Sequence, residues 1–332
     1  MKALVTGGAG FIGSSVVDAY LERGLAVVVV DDLSRGAIEN LNPRAKLYQI
    51  DIRDAAALEH LFETERPEIV NHHAAQMDVR RAVHEPVYDA EVNVIGSIHL
   101  LNCAVRFGVR RFIYASTAGA AYGEPASNPV AESHPINPIT PYGISKHTVE
   151  HYLFAYLALY GLSYVVLRYG NVYGPRQSSR GEAGVVAIFC EQMLQGTRPK
   201  IYGDGSKTRD YVYVSDVARA NLLALERGDR EIFNIGCGLP TTDYEIFLKV
   251  RSALGSKTIE PTHVDKRPGE IDHVFLDVSK AREILGWAAK VPLDQGIPWS
   301  AAYFRQRLAE RLVGPGPQAP RSMSAGGRRG SR

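Results

Sequence analysis

Lys2-Ala3-Leu4-Val5 runs straight into Thr6-Gly7-Gly8-Ala9-Gly10-Phe11-Ile12-Gly13, and residues 14–22 continue with a helical pattern. The first residues read as a short buried strand, the glycines as a tight turn and the rest as a helix. A strand, a glycine turn and a helix in that order form a phosphate cradle. The glycines let the backbone approach a pyrophosphate, and the helix N-terminus offers free N–H groups with a partial positive charge. The run fits G-x-G-x-x-G through Gly8, Gly10 and Gly13, and G-x-x-G-x-x-G through Gly7, Gly10 and Gly13. Alone, such a run is weak evidence. Here a second strand, 26–30, ends in Asp31, at the distance where an acid meets a nucleotide ribose. A carboxylate there accepts hydrogen bonds from ribose hydroxyls and repels a 2′-phosphate, which favours NAD over NADP. Arg35 lies close by as a cation able to hold a phosphate, and keeps NADP open.

A chain of 332 residues buries a large core and is expected to form one large or two intimate domains. Its apolar and charged contents are those of a soluble globular protein. No signal peptide is expected, because Leu4 and Val5 lead at once into glycines. No run approaches the ~20 apolar residues of a membrane span. Cys103, Cys190 and Cys237 are odd in number and lack metal-ligand spacing, so they read as reduced thiols of a cytoplasmic protein. His72 and His73 also lack such spacing, and no metal is expected. The net charge of +2 rests on Arg321, Arg328, Arg329 and Arg332 in a tail without acids. The body is therefore slightly acidic, with no sign of a nucleic-acid or membrane surface.

Strand and helix alternate over about the first 170 residues. Strands are expected at 2–5, 26–30, 46–50, 69–72, 111–116 and 163–168, and helices at 11–23, 54–64, 92–107 and 141–160. Apolar strands alternating with helices imply an α/β fold, a Rossmann-type doubly wound parallel sheet. Loops rich in Pro and Gly follow at 123–141 and 170–184. Later elements at 185–196, 212–225, 243–254 and 279–286 suggest a smaller mixed α/β lobe over the carboxyl ends of the strands. The expected division is 1–170 for the nucleotide domain, with strands near 212–236 returning to it, 171–312 for the substrate lobe, and 313–332 as a disordered tail.

A second constellation carries chemistry. Thr140-Pro141 reads as an N-cap followed by Pro at the first helical position. Tyr142-Gly143-Ile144-Ser145-Lys146 follows, and Tyr142 and Lys146 share a helix face. An ammonium beside a phenol favours phenolate. Bringing a tyrosine from about 10 toward neutrality takes about 4 kcal/mol, which Lys146 and a positively charged nicotinamide ring together would supply. The phenolate would then act as a general base. Alone, Tyr-x-x-x-Lys is common on surface helices; after a dinucleotide turn it reads as an acid–base pair.

With these motifs the chain resembles the extended short-chain dehydrogenases/reductases, and within them the UDP-glucose 4-epimerase group. The resemblance covers residue 1 to about 310. Its further motifs are Asp31 to Gly36, Asp51-Ile52, His73 to Gln76, Asn93, Ser116 to Gly123, Arg168 to Arg176, Arg209 to Val212 and Arg267 to Glu270. It implies that Gly7, Gly10, Phe11, Ile12 and Gly13 hold the pyrophosphate. Asp31, Asp32, Ser34, Arg35 and Gly36 hold the adenosine ribose, and Asp51 and Ile52 flank adenine. Ala74, Ala75, Gln76, Asn93, Tyr142, Lys146 and Tyr169 line the cofactor. On the substrate side it implies Asn171, Arg209 and Arg267 on the UDP diphosphate, Glu270 on the uridine ribose, and Val185, Val186 and Tyr202 around uracil. Arginine suits this task because its planar fork pairs with phosphate oxygens, although either arginine alone reads equally as a surface residue. The assisting hydroxyl falls on Thr117 when counted back from Tyr142, with Ser116 the fallback. Counted back from Tyr122 it would fall on Ala118, which has none.

The implied reaction is 4-epimerisation of UDP-glucose and UDP-galactose by transient oxidation at C4 with bound NAD. Related dehydratases and decarboxylases carry acids in the loop Ser116-Thr117-Ala118-Gly119-Ala120-Ala121-Tyr122-Gly123, and this loop has none. Related 3,5-epimerases need a Cys–His pair, and Cys103 has no evident His partner. Val274 stands where restricted epimerases place a large aromatic, which leaves room for an N-acetyl group at C2. UDP-glucuronate remains an alternative substrate, although Asn171 and Ser178 offer no cation for its carboxylate. A non-catalytic NAD-sensing protein of the same fold is the alternative from another class. The stripe Tyr152, Tyr156 and Tyr160 reads as core or as the face of a homodimer formed through helices 141–160 and 92–107.

Overall fold

In this computed structural model, which describes residues 1–179, 184–266 and 271–313, β1 (Lys2–Thr6) leads into α1 (Phe11–Glu22), β2 (Ala26–Val30), β3 (Lys46–Tyr48), α2 (Ala55–Glu65) and β4 (Ile69–His72). Next come α3 (Val79–His84), α4 (Pro86–Ala90), a π-helical turn at Glu91–Ile95 and α5 (Gly96–Arg106). β5 (Arg111–Thr117), the short α6 (Gly119–Tyr122), α7 (Pro141–Tyr160) and β6 (Tyr164–Tyr169) complete the first part. The later part holds β7 (Asn171–Tyr173), α8 (Val185–Leu194), β8 (Lys200–Tyr202), β9 (Thr208–Arg209), β10 (Tyr211–Tyr213) and α9 (Val214–Ala224). It ends with β11 (Glu231–Ile235), β12 (Thr241–Thr242), α10 (Asp243–Leu254), β13 (Thr262–Val264) and α11 (Leu293–Val313). Of the tail expected at 313–332, residues 314–332 lie outside the described residues.

The central sheet has seven strands in the order β11-β6-β5-β4-β1-β2-β3. Every pair in it is parallel. This is a doubly wound sheet whose order reverses beside β1, and that reversal opens a crevice at the strand ends. The strands are Val-rich and covered on both faces. Ala3, Val5, Val27 and Val29 face one core with α1 and α9. Leu4, Val28, Val30 and Val70 face the other with α2, α5 and α7.

The two parts of the chain interlock. β11 extends the sheet beside β6. The segment read as one element at 212–225 divides: β10 pairs with β7 in the small lobe, while α9 packs in the core with α1. The apolar run is continuous across that point, so composition did not mark it. β7 itself lies within what read as a loop. The small lobe has its own core of Phe189, Phe247, Ile297 and Phe304. Trp287 then returns to the first core, where its Nε1 donates to Asp216 O at 2.8 Å. Buried Asp210 ties the junction, accepting from Cys237 N (2.5 Å), Gly238 N (2.9 Å) and Leu276 N (3.1 Å).

Other boundaries follow local physics. β3 stops at Tyr48 because it is an edge strand with one neighbour. The expected 92–107 helix begins as the π turn, with Asn93 turned into the interior. α7 starts as read: Thr140 caps Gly143 N at 3.2 Å, Pro141 is its first residue, and Gly161 closes it at φ 72°. Among the described residues no helix is long and apolar enough to cross a membrane.

Candidate active site

The glycine turn closes on itself at the end of β1. Gly7 has φ +66°, and a Cβ there would lie 2.7 Å from Ala74 N. A Cβ on Gly13 would lie 2.1 Å from Gly7 O, so helix and turn meet only through glycine. Gly10 is the N-cap of α1 and no side chain caps it. The N–H groups of the first turn, Phe11 to Gly13, therefore point out of the helix without an internal acceptor. Asp31 is buried at the end of β2, taking Ala9 N on Oδ2 and Leu33 N on Oδ1, each at 2.9 Å. Burial raises its carboxyl above the ordinary range. Gly36 packs on Asp31 and Asp32 holds Ser34, while Arg35 is paired with Asp78 at 3.2 Å. An open cradle for a diphosphate with a carboxylate beside it fits a dinucleotide.

A directed chain of hydrogen bonds backs this cradle. Ala74 N–H donates to Thr6 Oγ1 (3.1 Å), which meets His72 Nδ1 (2.7 Å); His72 Nε2 meets Ser97 Oγ (2.8 Å), which donates to Asn93 O (2.6 Å). The donors assign the proton of His72 to Nε2. Burial and the nearby Lys146 charge hold this histidine well below its usual range, hence neutral. Asn93 in turn takes Gln76 N on its Oδ1 at 2.8 Å. Tyr169 lies beneath, buried, its hydroxyl 3.1 Å from His73 Nε2. Asp51 is paired with Arg53, and Ile52 packs against Gly96. Ala75 lies half-buried between Ala74 and Gln76.

Tyr142 occupies the first turn of α7 and Lys146 the next. Lys146 is buried, with Nζ 4.3 Å above the Tyr114 ring. Burial brings its ammonium down to about 7, against the pull of Glu150 and Asp89. Burial also raises the Tyr142 phenol, and Asp89 adds to the effect. The protein alone thus keeps the phenol protonated. The phenolate expected from the sequence depends on a positively charged nicotinamide ring as well as on Lys146.

The same helix carries Glu150 behind the pair. Arg168 grips it from β6 with two hydrogen bonds, Nε to Oε1 at 3.0 Å and Nη2 to Oε2 at 2.6 Å. Ser116 Oγ donates to Oε1 at 2.6 Å, and His147 Nδ1 lies 3.0 Å from Oε2. Burial opposes the charge, yet Arg168, His147 and Ser116 together hold this carboxyl at about 2. Ser116 and Thr117 point to opposite faces of β5. Ser116 is buried and committed to Glu150. Thr117 is half-buried, and its hydroxyl has no partner among the described residues. Gly143 lets α7 meet the 116–123 loop, since a Cβ there would lie 2.2 Å from Ala120 O.

The substrate-side residues are spread over the small lobe. Asn171 opens β7 and is half-buried. The Arg209 guanidinium donates to three main-chain carbonyls: Thr208 O (2.9 Å), Asp272 O (3.2 Å) and Ile271 O (2.6 Å). Val185 and Val186 begin α8, with Val186 buried in the lobe's core, and Tyr202 ends β8. Val274 packs with Ala118, Tyr122, Val130 and Leu276, directly behind Gly119. Arg267 and Glu270 lie outside the described residues.

Residues 3–236 match the NAD dependent epimerase/dehydratase family. The chain belongs to that family. It is 43% identical over 313 residues to a UDP-glucose 4-epimerase of Mycolicibacterium smegmatis, covering 92% of this chain and 99% of that one. Among solved structures, UDP-glucose 4-epimerase from Thermotoga maritima with UDP-glucose is 50% identical. It superposes with a TM-score of 0.91, covering 93% of this chain and 100% of that one. The Thermus thermophilus UDP-glucose 4-epimerase in complex with NAD is 43% identical, with a TM-score of 0.87 and coverage of 92% and 99%.

Two carboxylates of this family member escaped the sequence reading. Glu150 sits four residues after Lys146 and eight after Tyr142, so helical spacing puts all three on one side. Asp89 precedes Asn93 by four residues, a signal masked because α4 is short. The buried pair Arg168–Glu150 gives a stability test. Arg168→Met leaves a buried, unpaired carboxylate and is expected to cost about 3–5 kcal/mol in urea unfolding. Adding Glu150→Leu should recover part of that loss. A single-variant loss under about 1 kcal/mol would mean the pair does not organise this core.

Proposed function

We propose that this protein is an NAD-dependent UDP-hexose 4-epimerase that interconverts UDP-glucose and UDP-galactose. The observation that carries the reading is the Tyr142–Lys146 pair beside a dinucleotide cradle, facing a loop, 116–123, that holds no acid. Epimerisation at C4 needs only a proton carrier and an orienting hydroxyl from the protein. Elimination and decarboxylation need an acid that is missing from this loop.

NAD, when bound, supplies the hydride chemistry at the sugar C4. The chain's own residues manage the proton and the geometry. The Tyr142 oxygen takes the 4-OH proton and returns it after the 4-keto sugar has turned its other face. Lys146 lies one turn away as the cation that favours phenolate. Thr117 is the hydroxyl for O4, because Ser116 is committed to Glu150. Asp31 favours an unphosphorylated ribose, and the pairing of Arg35 with Asp78 removes the cation that a 2′-phosphate would need. We assign Asn171, Arg209 and Arg267 to the diphosphate, Glu270 to the uridine ribose, and Val185 and Tyr202 to the uracil side. Through its carbonyl contacts Arg209 also holds the segment leading to Val274.

The cytoplasm fits three free thiols that burial keeps protonated, Cys103 at about 11 and Cys190 and Cys237 at about 12. A homodimer through α5 and α7 fits the exposed apolar side chains of α7, among them Ile144 (51%), Phe154 (64%) and Leu159 (70%), with Ile95 (46%) in the turn that leads into α5. Of the tyrosine stripe, Tyr156 is buried with its hydroxyl on Asn102, while Tyr152 and Tyr160 remain exposed.

The enzymatic reading is tested by incubating the protein with each UDP-sugar and quantifying both epimers without added NAD. Conversion in both directions is expected, with NAD retained through purification. Tyr142→Phe should keep the fold and lose most turnover. Thr117→Val should lose about 10²-fold, and Ser116→Ala less. Full activity of Tyr142→Phe would remove the mechanism.

Selectivity has its own expectation. With Val274 in place, N-acetylated UDP-sugars should turn over measurably and UDP-glucuronate little. Val274→Tyr should suppress the N-acetyl pair while sparing UDP-glucose. If kcat/KM for the N-acetyl pair survives that change, Val274 does not shape the pocket.

For the dimer, light scattering should give twice the chain mass. Tyr152→Glu with Leu159→Glu should give the monomer. A monomeric wild type would refute this interface.

A further inference from the structure

Asp89, in α4, is fully buried and pairs with no Lys or Arg among the described residues. Three side chains donate to it. Gln76 Nε2 and Asn93 Nδ2 reach Oδ1, each at 3.0 Å, and Ser145 Oγ reaches Oδ2 at 2.6 Å. The main chain fixes these orientations. Gln76 N–H donates to Asn93 Oδ1 (2.8 Å) and Asp78 N–H to Gln76 Oε1 (2.7 Å), so both amide NH₂ groups turn toward Asp89. A site in which every polar neighbour donates matches an acceptor-only group, which is a carboxylate.

A buried carboxylate without a cation is costly, and such groups cluster where their charge is used. Asp89 touches both halves of the site. Gln76 and Asn93 belong to the nucleotide side, and Ser145 immediately precedes Lys146 on α7. Its charge favours the charged form of Lys146 and the protonated form of Tyr142. The other groups facing Lys146 do not change state near neutral pH. Glu150 on α7 stays ionised, His72 and His73 at the end of β4 stay neutral, and Tyr114 on β5 stays protonated. Glu150 is already compensated by Arg168. Asp89 is then the second anion that favours the Lys146 ammonium, after Glu150, and it has no cationic partner of its own among the described residues.

We propose that Asp89 is a positioning residue for the acid–base pair, supplying the counter-charge of the Lys146 ammonium and tethering α7 to the nucleotide-side loop through Ser145. It rests on the assignment of Tyr142 and Lys146 made above.

The test is the pH profile of kcat/KM for 4-epimerisation, in which Tyr142 sets the acid limb and Lys146 the alkaline limb. Asp89 raises both groups, so Asp89→Asn should move both limbs to lower pH, by about 0.5 unit or more. Ser145→Ala keeps the charge and cuts the tether. Its limbs should stay in place while kcat falls about 3–10-fold at unchanged KM. A wild type without epimerase activity would overturn the functional reading and this proposal together. An active wild type whose limbs do not move in Asp89→Asn overturns this proposal alone. Should Asp89→Asn fail to fold, Ser145→Ala decides: an unchanged kcat, or limbs that move, overturns the assignment.

Discussion

The buried ion pair between Arg168 and Glu150 is the interaction around which the site is arranged. It joins β6 to α7, and through Ser116 it also fixes β5. Three elements of the candidate site are thereby locked in register. Removing two charges from water is expensive, and the cost is offset only when geometry is good and remaining lone pairs are satisfied. Both conditions hold here: the guanidinium engages both carboxylate oxygens and also reaches Tyr122 Oη at 2.9 Å. Tyr122 then donates to Asn234 Oδ1 on β11 at 2.8 Å, so the network runs to the edge of the sheet. The alternation of β5 decides the rest. Because Ser116 faces this network, Thr117 turns to the opposite face of β5.

The nucleotide half was legible because its requirements are local. Gly7 needs a positive φ, Gly13 needs the absence of a Cβ, and Asp31 needs the end of a strand; each leaves a mark in a short stretch of sequence. The same holds for α7, whose cap, first-position proline and terminal glycine bound it unaided. The central strands were readable as apolar runs, since a sheet covered on both faces demands them.

What escaped was set by long-range contact. Only the four-residue spacing to Asn93 hints at a buried carboxylate at position 89, because its other partners come from residues 76 and 145. Glu150 is picked out only by Arg168, eighteen positions on, which the fold places against it. The division of 212–225 between two lobes was likewise invisible. Val212 and Val217 lie in the first core, whereas Tyr211 and Tyr213 serve the second. Residues that alternate between two cores give an apolar pattern without a boundary.

The charge state of the acid–base pair shows why placement alone does not make a catalyst. A proton carrier that acts in both directions must accept from the sugar and then give back, so it works best when neither state is strongly favoured. In the protein by itself burial favours the phenol of Tyr142 and weakens the ammonium of Lys146, to about 7. The pair is buried, and burial disfavours the charged form of each. A bound nicotinium ring would add a cation where the phenolate needs one. Lys146 would then be pushed further toward its neutral form by that like charge, and nearby anions counter that push. Glu150 exerts the larger pull on Lys146 but is shared with Arg168, and Asp89 adds to that pull. The geometry around Asp89, with three donors converging on one carboxylate, supplies its share without placing a base where it would compete with Tyr142 for the sugar proton.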